Sequence, residues 1–243
     1  MSEVEALREA VDRAMRAALE AQAREAQARG LSLEASDRER GAEEREKRRA
    51  RGELDAADLR AAWLAWLSGH IPAEDATAIV DDAIQPTDAV RHVRRWLRRE
   101  GERFVVLSGG VGTGKTVAAC AAAHQVAKDP RDAALIRAPA LARYLDPWRH
   151  EREHGDRAGR VDHAILIVDD LGTERLDDGR FLAALEELVD RRLAGSPRRT
   201  IITTNLDAEH AIERVGGRIA SRWRGHGRVI HVRGEDLRLG GPQ

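Results

Sequence analysis

Eight consecutive residues, Gly109-Gly110-Val111-Gly112-Thr113-Gly114-Lys115-Thr116, carry the sharpest chemical signal in the chain. They read G-x-x-x-x-G-K-T, preceded by the apolar run Phe104 to Leu107 and followed from Val117 by a helix of small residues. That strand, loop and helix setting is the one a phosphate-binding loop requires. Glycines let the backbone curl until successive N–H groups face one anion. The helix starting near Gly114 aims its positive end at the same place. Lys115 offers a compact ammonium to β- and γ-phosphates, where a flat guanidinium fork fits poorly. All but three of the chain's 41 Lys+Arg are arginine, the lysines being Lys47, Lys115 and Lys128, so lysine here is a departure from habit. Thr116 presents a hydroxyl to Mg²⁺, and Gly109 through Val117 form the expected nucleotide-contacting set.

Two further polar clusters follow apolar runs. Ala164-Ile165-Leu166-Ile167-Val168 ends in Asp169-Asp170; burying that run puts both carboxylates at the carboxyl edge of a sheet, where ligands bind in open α/β folds. Asp169 is expected to hold Mg²⁺ through water, and Asp170 to orient or deprotonate an attacking water; an acidic turn after a core strand is the plainer reading. Thr200-Ile201-Ile202-Thr203-Thr204 ends in Asn205. If its strand lies between those of the phosphate loop and the Asp pair, Asn205 reaches the γ-phosphate; otherwise it caps the next helix. Thr203 and Thr204 read as ordinary strand formers. Near the end, Gly216-Gly217 break a helical stretch and leave Arg218 and Arg222 four apart on one face. Three uses compete for that pair: reaching ATP on a neighbouring subunit, contacting a DNA backbone, or a solvated face.

The elements that must position these residues are legible in outline. Short branched runs at 104–107, 133–136, 164–168, 200–202 and 228–232 alternate with helical stretches, which indicates a parallel sheet buried on both faces. Before it, Leu54 to Leu67 form a helix stopped by Ser68-Gly69, Pro72 opens a second through Ile84, and Pro86-Thr87-Asp88 cap a third from Ala89 to Glu100. The arginines of that third helix read as a solvated face. Residues 3–29 have helical composition with a thin apolar seam, suited either to a partner surface or to resting on the chain's own domain. The organisation expected is therefore an N-terminal helix and partner-binding candidate at 1–35, a charged linker at 36–53, a small helical segment at 54–86 and the nucleotide domain at 87–243.

Composition removes several classes. One cysteine, Cys120, gives no disulfide framework and suits a reducing cytoplasm. No apolar run approaches the roughly 18–20 residues that span a bilayer, so no membrane partner is expected, and the acidic start lacks the order of a signal peptide. Net charge of −1 does not by itself call for nucleic acid.

The order GGVGTGKT, ILIVDDLG, TIITTNL and RIASR resembles the DnaC/IstB branch of AAA+ ATPases, helicase loaders and transposition helpers, from about Ile71-Pro72 to Arg238. APALARYL at 138–145 is similar to the segment after that branch's second strand. The resemblance implies an α/β P-loop fold of the AAA+ ASCE type with a five-stranded parallel sheet, a helical N-terminal extension and no C-terminal lid. It implies ATP and Mg²⁺ as cofactors, with Lys115 and Thr116 on nucleotide and metal. Asp169 and Asp170 become the Walker B acids, Asn205 the first sensor, and Arg222 the arginine finger assisted by Arg218. Asp170 stands where many AAA+ proteins carry Glu, so slow hydrolysis, stimulated by partner or DNA, is expected. The implied partners are other copies of the chain bridged by ATP, a replicative helicase or a transposase, and single- or double-stranded DNA. Loading of a helicase is the first expectation, transposition help the second, and an oligomeric scaffold with little turnover the third. Arg143, Tyr144, Trp148, Arg149 and Arg152 fall where initiator-like relatives contact single strands, although inward packing suits Tyr144 and Trp148 better. His150 and His154 read as solvated.

Overall fold

The computed structural model describes residues 55–145, 163–174, 179–194 and 198–237, with side chains of 142–145 left aside. The readings of residues 1–53, of Trp148, Arg149, His150, Arg152 and His154, and of the Arg143 and Tyr144 side chains lie outside these. The chain divides between Asp58 and Leu59 into two compact units. The described elements belong to the second unit apart from the first turn of α1 (Ala56–Ser68), where the Asp55 carboxylate accepts from the Ala57 and Asp58 N–H groups at 3.0 and 2.8 Å.

Each branched apolar run becomes a strand: β1 Phe104–Ser108, β2 Ala133–Arg137, β3 Ile165–Leu171, β4 Arg199–Thr204 and β5 Gly227–His231. All pair in parallel, in the order β2-β3-β4-β1-β5. Both faces of the inner strands are covered, which is why their runs are continuously apolar and not alternating, whereas the edge strand β5 carries Arg228 and His231. Val105, Leu107, Ile165, Ile167 and Ile201 pack into one layer with α1, α2 (Ala73–Val80), α3 (Asp88–Leu97) and α4 (Lys115–Val126). Phe104, Val106, Leu166, Val168 and Ile202 pack into the other with α5 (Ala138–Leu145), α6 (Arg180–Leu193) and α7 (Ala208–His226). Trp63 and Leu67 of α1, Ile79 of α2, and Val93 and Trp96 of α3 belong to the same apolar cluster as the sheet residues, so the helices before β1 are built onto its core. Thr87 caps α3, its hydroxyl accepting the Val90 N–H at 3.3 Å.

Because every strand runs the same way, the carboxyl ends of β1, β3 and β4 meet at one edge. At the opposite edge the fully buried Arg192 of α6 holds the sheet. It donates to the Thr200 hydroxyl at 2.6 Å, the His163 carbonyl at 2.9 Å and the Arg199 carbonyl at 2.6 Å.

The ladder between β3 and β4 is irregular at the site. Val168 pairs with Ile202, but the next aligned pair is Leu171 with Thr204, so β3 carries one residue more than β4 across that interval. This is a β-bulge, and Asp170 lies within it at φ 60°. Helix α7 is broken as its glycines predict: Gly216 has φ 79° and ψ 164°.

Candidate nucleotide site

The loop after β1 bends through Gly109, Gly112 and Gly114, all at positive φ. Two of these also lack room for a side chain. A Cβ on Gly109 would lie 2.4 Å from the Val232 carbonyl oxygen, and one on Gly112 would lie 1.7 Å from a carboxylate oxygen of Asp236. The segment after β5 thus crosses the loop, and the Leu237 N–H donates to the Gly112 carbonyl at 3.1 Å. Gly114 opens α4 at φ 79°, with Lys115 and Thr116 in the first turn and Val117 partly buried against the core. Lys115 is buried. Its Nζ donates to the carbonyls of Gly109 and Gly110 at 2.9 and 2.5 Å and lies 3.3 Å from the Thr113 hydroxyl, so the ammonium sits inside the curl of the loop. Thr113 in turn donates to the Gly110 carbonyl at 2.9 Å, bracing that curl. Val111 stands exposed at its tip.

Strand β3 brings its acids to this loop. Asp169 is buried, and its Oδ1 accepts two hydroxyls, from Thr116 at 2.8 Å and from Thr203 at 2.7 Å. Asp170, turned by the bulge, is partly exposed; its carboxylate lies 3.6 Å from an Arg137 guanidinium nitrogen at the end of β2. Its N–H donates to the Thr203 hydroxyl at 3.0 Å. Strand β4 does lie between β1 and β3, and Asn205 is exposed just past its end. The cap of the next helix is Asp207, whose carboxylate accepts the His210 N–H at 2.9 Å; Asn205 is therefore not the capping residue.

Arg218 and Arg222 do share a face, and that face is turned to α6. The Arg222 guanidinium forks onto Asp190, Nε to Oδ1 at 2.8 Å and Nη2 to Oδ2 at 3.1 Å, with Nη1 3.3 Å from Glu186. Arg218 reaches the same Glu186 oxygen at 3.0 Å from a largely exposed position.

Sequence reasoning passed over two groups. Thr203 touches both acids, yet nothing in its type separates it from Thr204, whose hydroxyl donates to the Leu171 carbonyl at 2.6 Å. Glu174 is buried; one oxygen accepts from Arg214 Nε at 2.5 Å and the other from the Gly172 N–H at 2.7 Å, tying the segment after β3 to the first half of α7. Cys120, buried on α4, has its thiol pushed up by burial and then by the Asp169 charge; it stays protonated and packs as a small apolar residue.

The donors fit Mg²⁺. Thr116 and Asp169 offer hard oxygens 2.8 Å apart beside the loop, and this ion takes one or two protein oxygens with water and phosphate oxygens. Among the described residues no group of three or more His, Cys, Asp or Glu forms an all-protein cage.

A glycine loop enclosing a lysine, with an acid at the end of β3 beside it and β4 lying between β3 and β1, defines a P-loop nucleotide-binding protein. The chain belongs to the IstB-like ATP binding protein family, whose model matches residues 13–240. Over 131 residues it is 32% identical to a Pseudomonas fluorescens protein named for ATP binding and insertion sequence IS1162. That match takes in 53% of this chain and 52% of the relative, so the chain spans about half the length of that curated relative. Among solved structures it is similar to the DnaC helicase loader, with TM-score 0.48, 19% identity, and coverage of 59% of this chain and 87% of that one. Domain III of the Thermotoga maritima replication initiation protein DnaA gives TM-score 0.49 and 19% identity over 62% and 64% of the two chains.

Proposed function

We propose that the chain is an ATP-hydrolysing AAA+ subunit whose nucleotide state governs its assembly with a partner on DNA. The observation that carries this reading is Asp169, buried and hydrogen-bonded to Thr116 immediately beside the lysine-filled loop. Gly109 through Val117 hold the triphosphate, their N–H groups and Lys115 balancing its charge. Thr116 and Asp169 hold Mg²⁺, which draws charge off the phosphoryl oxygens when bound. Asp170 orients the attacking water and takes its proton, and Asn205 steadies the γ-phosphate from β4. Arg222, with Arg218 assisting, serves the site of a neighbouring copy. Purified protein hydrolyses Mg-ATP slowly in this reading, and DNA or oligomerisation raises the rate. Lys115→Ala abolishes nucleotide binding, and Asp170→Asn lowers turnover while binding persists. Unchanged turnover in Asp170→Asn would mean an oligomeric scaffold in place of a working ATPase. Mixing Arg222→Ala with Lys115→Ala subunits restores part of the activity if sites are shared, and no rescue at any ratio refutes the trans role.

A transposase is the partner best supported, by the family match across residues 13–240 and by the relative named for an insertion sequence. Helicase loading, which the motif order alone puts first, uses the same site residues and differs only in the protein engaged. Capture with the full chain and ATP, scored by immunodetection, separates them: a transposase supports this choice, and a replicative helicase overturns it. Duplex DNA is the expected substrate surface with the former, single strands with the latter. The work belongs in the cytoplasm; among the described residues no helix is long and apolar enough to cross a membrane.

A further inference from the structure

Thr203 is almost fully buried and its single hydroxyl has two partners, both in the acid pair: it donates to Asp169 Oδ1 at 2.7 Å and accepts the Asp170 N–H at 3.0 Å. The second bond exists because of the bulge. With one extra residue on β3 between the Val168 and Leu171 pairings, Asp170 is displaced from the regular ladder, and the Thr203 side chain receives its N–H instead. Asp170 is thereby held at φ 60°, a conformation unfavourable for a residue with a Cβ, which persists only when its surroundings impose it. The same hydroxyl, with that of Thr116, fixes the Asp169 carboxylate from two different elements, β4 and the start of α4.

We infer that Thr203 is a positioning residue for the nucleotide site: its hydroxyl sets the Asp169 carboxylate toward Mg²⁺ and locks the bulge that turns Asp170 away from it. This rests on the reading of Asp169 and Thr116 as the Mg²⁺-holding pair. Neutral partners that orient a ligating group typically matter by about 10–100-fold in metal affinity or activity, and that is the size of effect expected.

The test compares Thr203→Val, which keeps the branched shape and removes the hydroxyl, with Thr203→Ser, which keeps the hydroxyl. A fluorescent ATP analogue is titrated with Mg²⁺ and with EDTA, and thermal unfolding is followed alongside. Thr203→Val should leave binding in EDTA within about twofold of wild type and cut the tightening due to Mg²⁺ about tenfold or more. Turnover should fall in kcat, KM for Mg-ATP should rise with the lost Mg²⁺ tightening, and Thr203→Ser should recover that tightening to within a few-fold. If Thr203→Val lowers the unfolding temperature but keeps the full Mg²⁺ effect, Thr203 is a packing residue and the inference is overturned. Failure of Thr203→Ser to recover the Mg²⁺ effect overturns it as well. Should Thr203→Val not fold, the Thr203→Ser titration decides alone: a retained Mg²⁺ effect supports the inference and a lost one refutes it. Wild-type protein that binds nucleotide with a Mg²⁺ effect but never hydrolyses it contradicts the proposed ATPase function and leaves this comparison intact.

Discussion

Releasing Arg222 from its own subunit should accelerate hydrolysis if it acts on a neighbour's ATP. In the structure it is held by a two-pronged pair with Asp190 and a longer contact to Glu186 on α6. Asp190 is half exposed, so its pair is screened, and such pairs are worth about 0.2–1 kcal/mol, the fork placing this one toward the upper end. Asp190→Asn then lowers the cost of detaching Arg222 by about 1 kcal/mol, which raises the detached population about fivefold, since 1.4 kcal/mol is tenfold. While detached subunits are scarce, turnover rises by the same factor. The assay is steady-state hydrolysis at saturating Mg-ATP across a range of protein concentrations, with Arg222→Ala and the double variant as controls. The gain should vanish in the double variant and shrink as salt rises and screens the wild-type pair. Stability should fall by no more than about 1 kcal/mol, the worth of the pair. Turnover that is unchanged or lower in Asp190→Asn at every concentration, while Arg222→Ala lowers it, refutes the reasoning: Arg222 would then work from where it is held.

Three further outcomes follow from the fold. Arg192→Met removes a fully buried guanidinium and strands three acceptors, the Thr200 hydroxyl and the His163 and Arg199 carbonyls, so urea unfolding should show a loss of about 3–5 kcal/mol; a loss below about 1 kcal/mol contradicts the role given to it. Gly227→Ala meets no conformational strain, but its Cβ would fall 2.1 Å from the Phe104 carbonyl oxygen, so β5 must part from β1 at its start, at a cost of about 2 kcal/mol or more on the same assay. The Arg228 hydrogen bond holds the Glu102 carboxyl below its ordinary value of 4.5. A depressed folded pKa contributes stability above the unfolded value that is lost as pH falls through the folded one, so Glu102→Gln should flatten the acid limb of stability below about pH 4.5, and an unaltered limb would contradict this.

Parallel strands buried on both faces leave a strong imprint: β1, β3 and β4 were legible as apolar runs because almost no position in them faces water, and β2 and β5 were legible too although each ends in an exposed residue, Arg137 and His231. The phosphate loop was equally legible, since its glycines answer local backbone demands that act within a few residues. Gly216 marked the break in α7 for the same reason. Partnerships across elements left no such trace. Arg192 and Arg214 look like any other arginine in a chain crowded with them, and only the assembled sheet makes one a buried brace and the other an anchor for Glu174. That β4 lies between β1 and β3, the condition on which the reading of Asn205 depends, is a matter of strand order that no local signal encodes.

Thr203 and Thr204 show where that limit lies. Both are buried strand threonines, adjacent and identical in type, and each uses its hydroxyl. Thr204 donates to the Leu171 carbonyl and receives the Leu206 N–H, closing the strand end. Thr203 meets the acid pair only because β3 carries one residue more than β4 between two aligned pairings. Period-two alternation alone would send the neighbouring side chains of Asp169 and Asp170 to opposite faces of the sheet. The extra residue goes further and takes Asp170 out of the ladder. One acid stays in the core beside Thr116, the other is turned outward at φ 60°, and a single hydroxyl touches both. The different placement of two identical carboxylates is therefore set by register, which depends on the neighbouring strand and not on the Asp-Asp dipeptide itself.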